Sequence, residues 1–219
     1  MTGISETVTI EIISDAICPW CWIGKRHLER AAALLPDGVA IRTVWKPFEL
    51  NPDMPDGGVD RSAYRLRKFG SLEFSAQLDA RVAEAGRAAG LAFRHDLMRW
   101  TPNTIDCHRL IWFAGKKGAQ DAVVEGLFRG YFAEGLDIGD RQIMAMIAEH
   151  AGLNGAEAEA VLASGEGRGE VLAELAGALE TGISGVPTFI IDGQLLSSGA
   201  APPEILAGVI AEAARKRTA

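Results

Sequence analysis

Cys18 and Cys21 stand two residues apart in SDAICPWCWIG, Ser14 to Gly24. A pair so spaced has three chemistries open to it: a structural disulfide, half of a zinc site, or a working redox couple. Zinc needs two further ligands, and the sequence has no second CxxC. Cys107 and His108 are adjacent, and neighbouring residues on a helix point in different directions. No metal is therefore expected. A purely structural bridge here would close a two-residue loop and constrain little. The redox reading fits best, because the run VTIEII before the pair reads as a strand and the residues after it as a helix. A helix N-terminus offers unpaired N–H groups and partial positive charge, both of which favour a thiolate. Pro19 suits the first helical turn, where its missing N–H costs nothing. Cys18 is expected to be the exposed nucleophile and Cys21, about one turn along, the resolving thiol. Trp20 and Trp22 supply apolar surface either to the site or to the core.

A second stretch, SGVPTFIIDG from Ser184 to Gly193, sets Pro187 directly before a strand. A cis Val186–Pro187 bond would leave a backbone edge facing the cysteines, ready to pair with an extended substrate. On these residues alone, an ordinary trans proline opening a strand is the simpler reading. Asp15, three residues before Cys18, serves either as a proton acceptor or as a cap at the helix entrance. Asn103 and His108 fall on a predicted helix and either reach the cleft or face solvent. His27, His95 and His150 give no usable signal.

Composition narrows the classes. Lysine and arginine number 22 against 29 acidic residues, a net charge of −7, which argues against a nucleic-acid partner. No apolar run approaches the ~18 residues of a membrane span. The N-terminal MTGISETVTIEII lacks a basic leader region, so a cytoplasmic address is expected. Three cysteines are too few for a disulfide-stapled secreted fold.

The elements that must position these residues follow from periodicity. Strand 8–14, helix 20–35 and strand 39–45 form a βαβ unit, so the two strands should be parallel. After the irregular KPFELNPDMPDGG, helices are predicted over 61–90 (broken near Gly70), 103–117, 119–133, 140–151 and 156–163. In the fourth of these Ile143, Met146, Ile147 and His150 share a face, with Met144 and Met146 assigned to the core. Helix 170–181, strand 188–192, an Asp192-Gly193 hairpin, strand 194–198 and helix 202–217 close the chain. The outer parts read β-α-β … α-β-β-α. The expected class is α/β, a thioredoxin-type unit over 1–50 and 170–219 interrupted by an all-helical subdomain over 51–169.

With CPWC after the first strand and GVPTF before the third, the chain resembles the DsbA-like thioredoxin superfamily. More narrowly, it is similar to the FrnE-like members grouped with 2-hydroxychromene-2-carboxylate isomerases and kappa-class glutathione transferases. WKPFELNPDMP, NTIDCHRL, YFAEGLDIGD and SGAAPPEIL extend the likeness over nearly the whole chain. The resemblance implies Cys18 and Cys21 as the redox pair, and a cis-Pro187 that contacts substrate together with Val186. The isomerase and transferase branches usually carry serine where Cys18 stands, which sets this chain on the thiol–disulfide side. Two positions depart from the family pattern: Gly199-Ala200-Ala201 replaces a GAQ, and Cys107 replaces an alanine, as a small buried residue could. Pro19, Trp20, Asp15, Asn103 and His108 are candidates for tuning the pair.

The leading expectation is a protein disulfide oxidoreductase or isomerase acting on protein or small-molecule disulfides and thiols. The alternative is a glutathione-dependent isomerase or transferase of a small aromatic substrate. No tightly bound cofactor is expected, with glutathione as a possible redox partner. Neither a nucleic acid nor a membrane is expected as partner, and both monomer and homodimer are allowed.

Overall fold

The computed structural model describes residues 6–218; residues 1–5, on which part of the leader reading rests, lie outside them. Strand β1 (Glu6–Ser14) leads into helix α1 (Pro19–Ala32) and strand β2 (Val39–Pro47). Near the C-terminus come helix α8 (Arg168–Glu180), strands β5 (Thr188–Ile191) and β6 (Gln194–Ser198), and helix α9 (Pro203–Thr218). The four strands make one sheet in the order β2-β1-β5-β6. β1 and β2 are parallel, with Ile12 opposite Trp45, whereas β5 runs antiparallel to β1, with Phe189 opposite Ile12. This is the thioredoxin arrangement.

β1 sits inside the sheet, between β2 and β5, with its four aliphatic side chains all buried. Val8, Ile10 and Ile12 pack into the main core, and Ile13 packs on the other side with Phe48 and Ala178 of α8. At the β5–β6 hairpin, Asp192 and Gly193 both take positive φ (51° and 72°), the geometry of a two-residue turn that matches strand twist.

Between β2 and α8 lie helices α2 (Arg61–Phe69), α3 (Leu72–Ala88), α4 (Ile105–Lys116), α5 (Gln120–Phe132), α6 (Arg141–His150) and α7 (Gly155–Ala163). The break between α2 and α3 has a local cause. Gly70 closes α2 in the left-handed region at φ 78°, and the Ser71 hydroxyl then accepts the Phe74 N–H at 2.9 Å to start α3. The expectation of an all-helical insert is corrected by β3 (Val59–Asp60) and β4 (Trp100–Thr101), an antiparallel pair that ties the start of α2 to the segment before α4. Two-residue strands carry no periodicity, so pattern reading misses them. The predicted face of α6 also needs correction: Met144, Ile147 and Ala148 are buried, while Met146 and His150 are exposed. The face turns because α6 packs on both α5 and α7.

One apolar cluster runs from the sheet into these helices, through Trp22, Ile23, Leu110, Leu127, Phe128 and Phe132. Trp22 lies in that core rather than at the site, stacked on Phe132 at 6.0 Å with its indole N–H donated to Glu125. Beside it the buried Lys25 ammonium lies against Asp121 (3.0 Å) and Glu125 (3.3 Å) of α5 and against Glu29. Burial works against its charge, yet the three carboxylates outweigh that and raise its pKa. α1 is thus fastened to α5 by both packing and charge.

Candidate active site

α1 begins at Pro19, with Cys18 as its N-cap in extended backbone (φ −92°, ψ 110°). The Cys18 N–H donates to the Asp15 carbonyl at 3.0 Å, and the Cys21 N–H to the Cys18 carbonyl at 3.0 Å. This turn puts Cys18 at the mouth of the helix and Cys21 one turn inside it. Across from them the Val186–Pro187 peptide is cis, and the Cys18 thiol donates to the Val186 carbonyl at 3.5 Å. The Gly199 N–H donates to the Pro187 carbonyl at 2.7 Å and holds the loop against β6. Gly24 lets α1 come this close: a Cβ there would lie 3.0 Å from Pro187 Cγ and 3.2 Å from Phe189 Cζ.

The expectation of an exposed Cys18 is corrected: only 3% of its surface is accessible. The loop carrying Val186 covers it, and its open side faces a cavity of about 450 Å³. Cys21 has no accessible surface. Burial pushes its thiol well above the ordinary range, the adjoining Cys18 thiol adds to this, and the Ser14 hydroxyl and Asp15 backbone work against it.

Behind the pair, Asp15 is wholly buried. Its carboxylate accepts the Leu50 N–H at 2.7 Å and the Ile17 N–H at 3.4 Å, so it anchors the turn before the helix without capping the helix itself. Desolvation outweighs those bonds and raises its pKa to about 6. His108 Nε2 lies 3.9 Å from Asp15 Oδ1 and 2.9 Å from the Phe48 carbonyl. Burial lowers the His108 pKa to about 4. A distance of 3.9 Å suggests an ion pair, but the two shifts oppose one: the imidazole is neutral and gives its Nε2 proton to Phe48. Glu49, half-buried, is raised to about 7 by burial and then by the charge of Asp15.

The remaining sequence candidates separate. Trp20 is 42% exposed at the rim of the cavity, and Pro19 lines it. Asn103 is not in the cleft and not in α4. It precedes that helix, with its amide donated to the Met54 carbonyl and its oxygen accepting the Ile105 N–H at 2.9 Å, and it borders a separate hollow with Asp106 and Arg141. Its side chain satisfies the turn, which outweighs helix continuation. Cys107 is buried with its thiol on the Ile138 carbonyl at 3.2 Å. A larger hollow of about 700 Å³ follows the free edge of β2, and neither cysteine lines it.

Residues that sequence reasoning passed over also line the Cys18 cavity: Arg61, Tyr64, Arg65 and Lys68 of α2, with Asp79 and Arg81 of α3. Their signal was the spacing of Arg61, Tyr64, Arg65 and Lys68 at three and four residues, one helix face that reads equally as solvated charge. Among the described residues no cluster of His, Cys, Asp and Glu could hold a metal, and no helix is long and apolar enough to cross a membrane.

Comparison with known proteins places this geometry. The crystal structure of a probable DsbA oxidoreductase from Streptomyces coelicolor is 33% identical, with a TM-score of 0.86 over 97% of this chain and 92% of that one. Protein YwbO of Bacillus subtilis is 26% identical over 212 residues, 96% of this chain and 100% of YwbO. Two more distant structures share the fold. A 2-hydroxychromene-2-carboxylate isomerase is 16% identical with a TM-score of 0.71, covering 96% of this chain and 98% of its own. The cytosolic disulfide reductase DsbM of Pseudomonas aeruginosa, solved with GSH, is 19% identical with a TM-score of 0.64, covering 97% of this chain and 100% of its own. Residues 9–211 match the model of the DSBA-like thioredoxin domain, and the chain belongs to that family.

Proposed function

We propose that the protein is a thiol–disulfide oxidoreductase whose redox pair is Cys18 and Cys21. The observation that carries this is the placement of the Cys18 thiol: at a helix N-terminus, against the Val186 carbonyl beside Pro187, and on the wall of a cavity. Cys18, as thiolate, attacks one sulfur of a substrate disulfide, and the other half leaves as a thiolate. Cys21 then gives up its proton and attacks the Cys18 sulfur, releasing the second half and leaving the Cys18–Cys21 disulfide. Asp15 is the nearby group suited to take that proton, since a pKa of about 6 leaves it ionised at neutral pH yet more basic than an exposed carboxylate. Asp15 adjoins Cys21 through its backbone and the turn rather than by side-chain contact. Val186 and Pro187 line up an extended substrate backbone, and Trp20 gives it an apolar rim. His108 holds the Phe48 carbonyl behind Asp15, and Asn103 has no part in the reaction.

The unit over 1–50 and 170–219 supplies the chemistry, and the insert over 51–169 supplies the far wall of the cavity. The protein works in the cytoplasm on protein or small-molecule disulfides and thiols, as a monomer or homodimer. Glutathione serves as a redox partner; the distant relative DsbM, whose structure contains GSH, is consistent with this.

The test is a glutathione redox titration of the purified chain, with free thiols alkylated and counted by mass. Cys18 and Cys21 should interconvert as a two-electron couple, and a Cys21→Ser variant should accumulate a mixed disulfide on Cys18. If the pair never closes and only a glutathione adduct on Cys18 forms, the oxidoreductase reading is wrong. Isomerase activity surviving Cys21→Ala would then favour the glutathione-dependent isomerase.

A further inference from the structure

The cavity beside Cys18 holds more positive charge than the structure neutralises. Arg61, Arg65, Lys68 and Arg81 line it, against one carboxylate, Asp79. Asp79 is already engaged: its two oxygens lie 2.7 Å from Arg61 Nη2 and 2.6 Å from Arg65 Nη2. Lys68 donates to the Tyr64 hydroxyl at 2.6 Å and to Asn51 Oδ1 at 3.2 Å, both uncharged acceptors. Among the described residues, neither Lys68 nor Arg81 has a carboxylate within ion-pair distance. In a chain of net charge −7, this is a local excess of cations at a cavity that reaches the nucleophile, and it suits an anionic occupant.

Most of the remaining lining is apolar or aromatic, including Trp20, Leu50, Phe69, Val82 and Met98, with His95 and Thr101 adding polar groups. A volume of about 450 Å³ falls in the range of roughly 300–1,000 Å³ that suits small molecules. Cations on low-dielectric walls concentrate anions and orient them. We propose that this cavity selects low-molecular-weight disulfides that carry carboxylates on an apolar body, with Lys68 and Arg81 as the groups that recognise the charge. This rests on the oxidoreductase reading above and names the substrate class of that same site. Cys18 thiolate attacks the small disulfide, forming a mixed disulfide and expelling one carboxylate-bearing thiolate. Cys21 releases the second and is left bonded to Cys18. An external dithiol returns the two electrons and the protons, and closes the cycle.

The experiment measures the second-order rate at which the reduced full-length protein is oxidised by four disulfides. These are dithiodipropionate (dianionic), dithiobis(nitrobenzoate) (dianionic and aromatic), bis(hydroxyethyl) disulfide (neutral) and cystamine (dicationic). Each rate is divided by the rate of the same disulfide with dithiothreitol, which removes intrinsic reactivity. The normalised ratio of dianion to dication should be about tenfold or more, and the aromatic dianion should be fastest. In a Lys68→Gln, Arg81→Gln variant that ratio should fall about tenfold, as two partly exposed charge contacts imply. Both positions are exposed, so the fold tolerates the change. Arg67→Gln and Arg87→Gln, cations of the same helices outside the cavity, should keep the wild-type ratio. A wild-type ratio near one, or one that the double variant leaves intact, overturns the charge selection while the neutral disulfide's reaction upholds the oxidoreductase. If none of the four disulfides oxidises the reduced protein, the oxidoreductase reading falls and the selection with it.

Discussion

Replacing Asp15 by asparagine should make the protein more stable at neutral pH. Its carboxylate titrates near 6 in the folded chain against an ordinary 3.8. Between those values the folded chain holds a proton that the unfolded chain has released, so stability falls as pH rises through this window. At about 1.4 kcal/mol per pH unit the interval comes to about 3 kcal/mol. His108 works the other way. Its folded value is about 4 against an ordinary 6.5, so the unfolded chain binds the extra proton and stability rises with pH, again by about 3 kcal/mol in all. Between about pH 4 and 6 the two slopes cancel, and the pair hides its own pH dependence. Asp15→Asn removes one of them. The variant's oxygen keeps the Leu50 bond, and the long Ile17 contact is lost at a cost of about 1 kcal/mol that does not vary with pH. Loss of the Asp15 charge also lets Glu49 ionise more easily, which acts in the same direction. Guanidinium unfolding of reduced protein, followed by tryptophan fluorescence at several pH values from 4 to 7, reads the difference between variant and wild type. Titration of surface carboxylates is common to both and drops out. The difference should shift in the variant's favour by about 3 kcal/mol across that range. A difference that stays constant with pH would refute the assignment of Asp15 as a buried, desolvated acid.

Two further substitutions test the framework. Gly24→Ala puts a methyl 3.0 Å from Pro187 Cγ and 3.2 Å from the fully buried Phe189 ring. Overpacking of about 1–3 kcal/mol exceeds the helix-propensity gain of about 1. The melting temperature should fall by a few degrees and Cys18 exchange should slow, and an unchanged or higher melting point would contradict the close approach. Arg109 is buried in α4 and donates to the carbonyls of Val161, Ser164 and Glu166 and to Asp106. Arg109→Met leaves those groups unpaired and should cost about 3 kcal/mol or more, with faster proteolysis in the turn between α7 and α8; a loss under 1 kcal/mol would count against that role.

Much of the fold was legible because it rests on local pattern. The short β-branched run of β1, the partial alternation of β2, the Asp192-Gly193 turn and the Gly70 break each carry a short-range signal, and the elements they imply are present. What sequence could not supply was tertiary. The face of α6 depends on which neighbours pack against it, so Met146 and His150 were misplaced. Cys18 is covered by a loop 168 residues away, and no spacing within CPWC reports that. Lys68 and Arg81 look like solvated helix surface until α2 and α3 are folded over the cysteines. Asn103 had a helical neighbourhood but a side chain better used on its own turn. The ordinary burial of Trp22 was equally hidden, since tryptophan beside a reactive cysteine serves site and core alike.

The fastening of α1 to α5 bears on how this protein can be divided. Lys25 and Trp22 belong by sequence to the first βαβ unit, yet two of Lys25's three carboxylate partners and the aromatic neighbours of Trp22 come from the insert. Cutting the chain back to a minimal thioredoxin would strip the Lys25 ammonium of its two α5 carboxylates and bare one side of an indole. The insert is therefore no removable accessory, and grafting it onto another thioredoxin would demand a matching lysine and tryptophan in the recipient helix. Modularity in the order of the elements does not extend to the core they share.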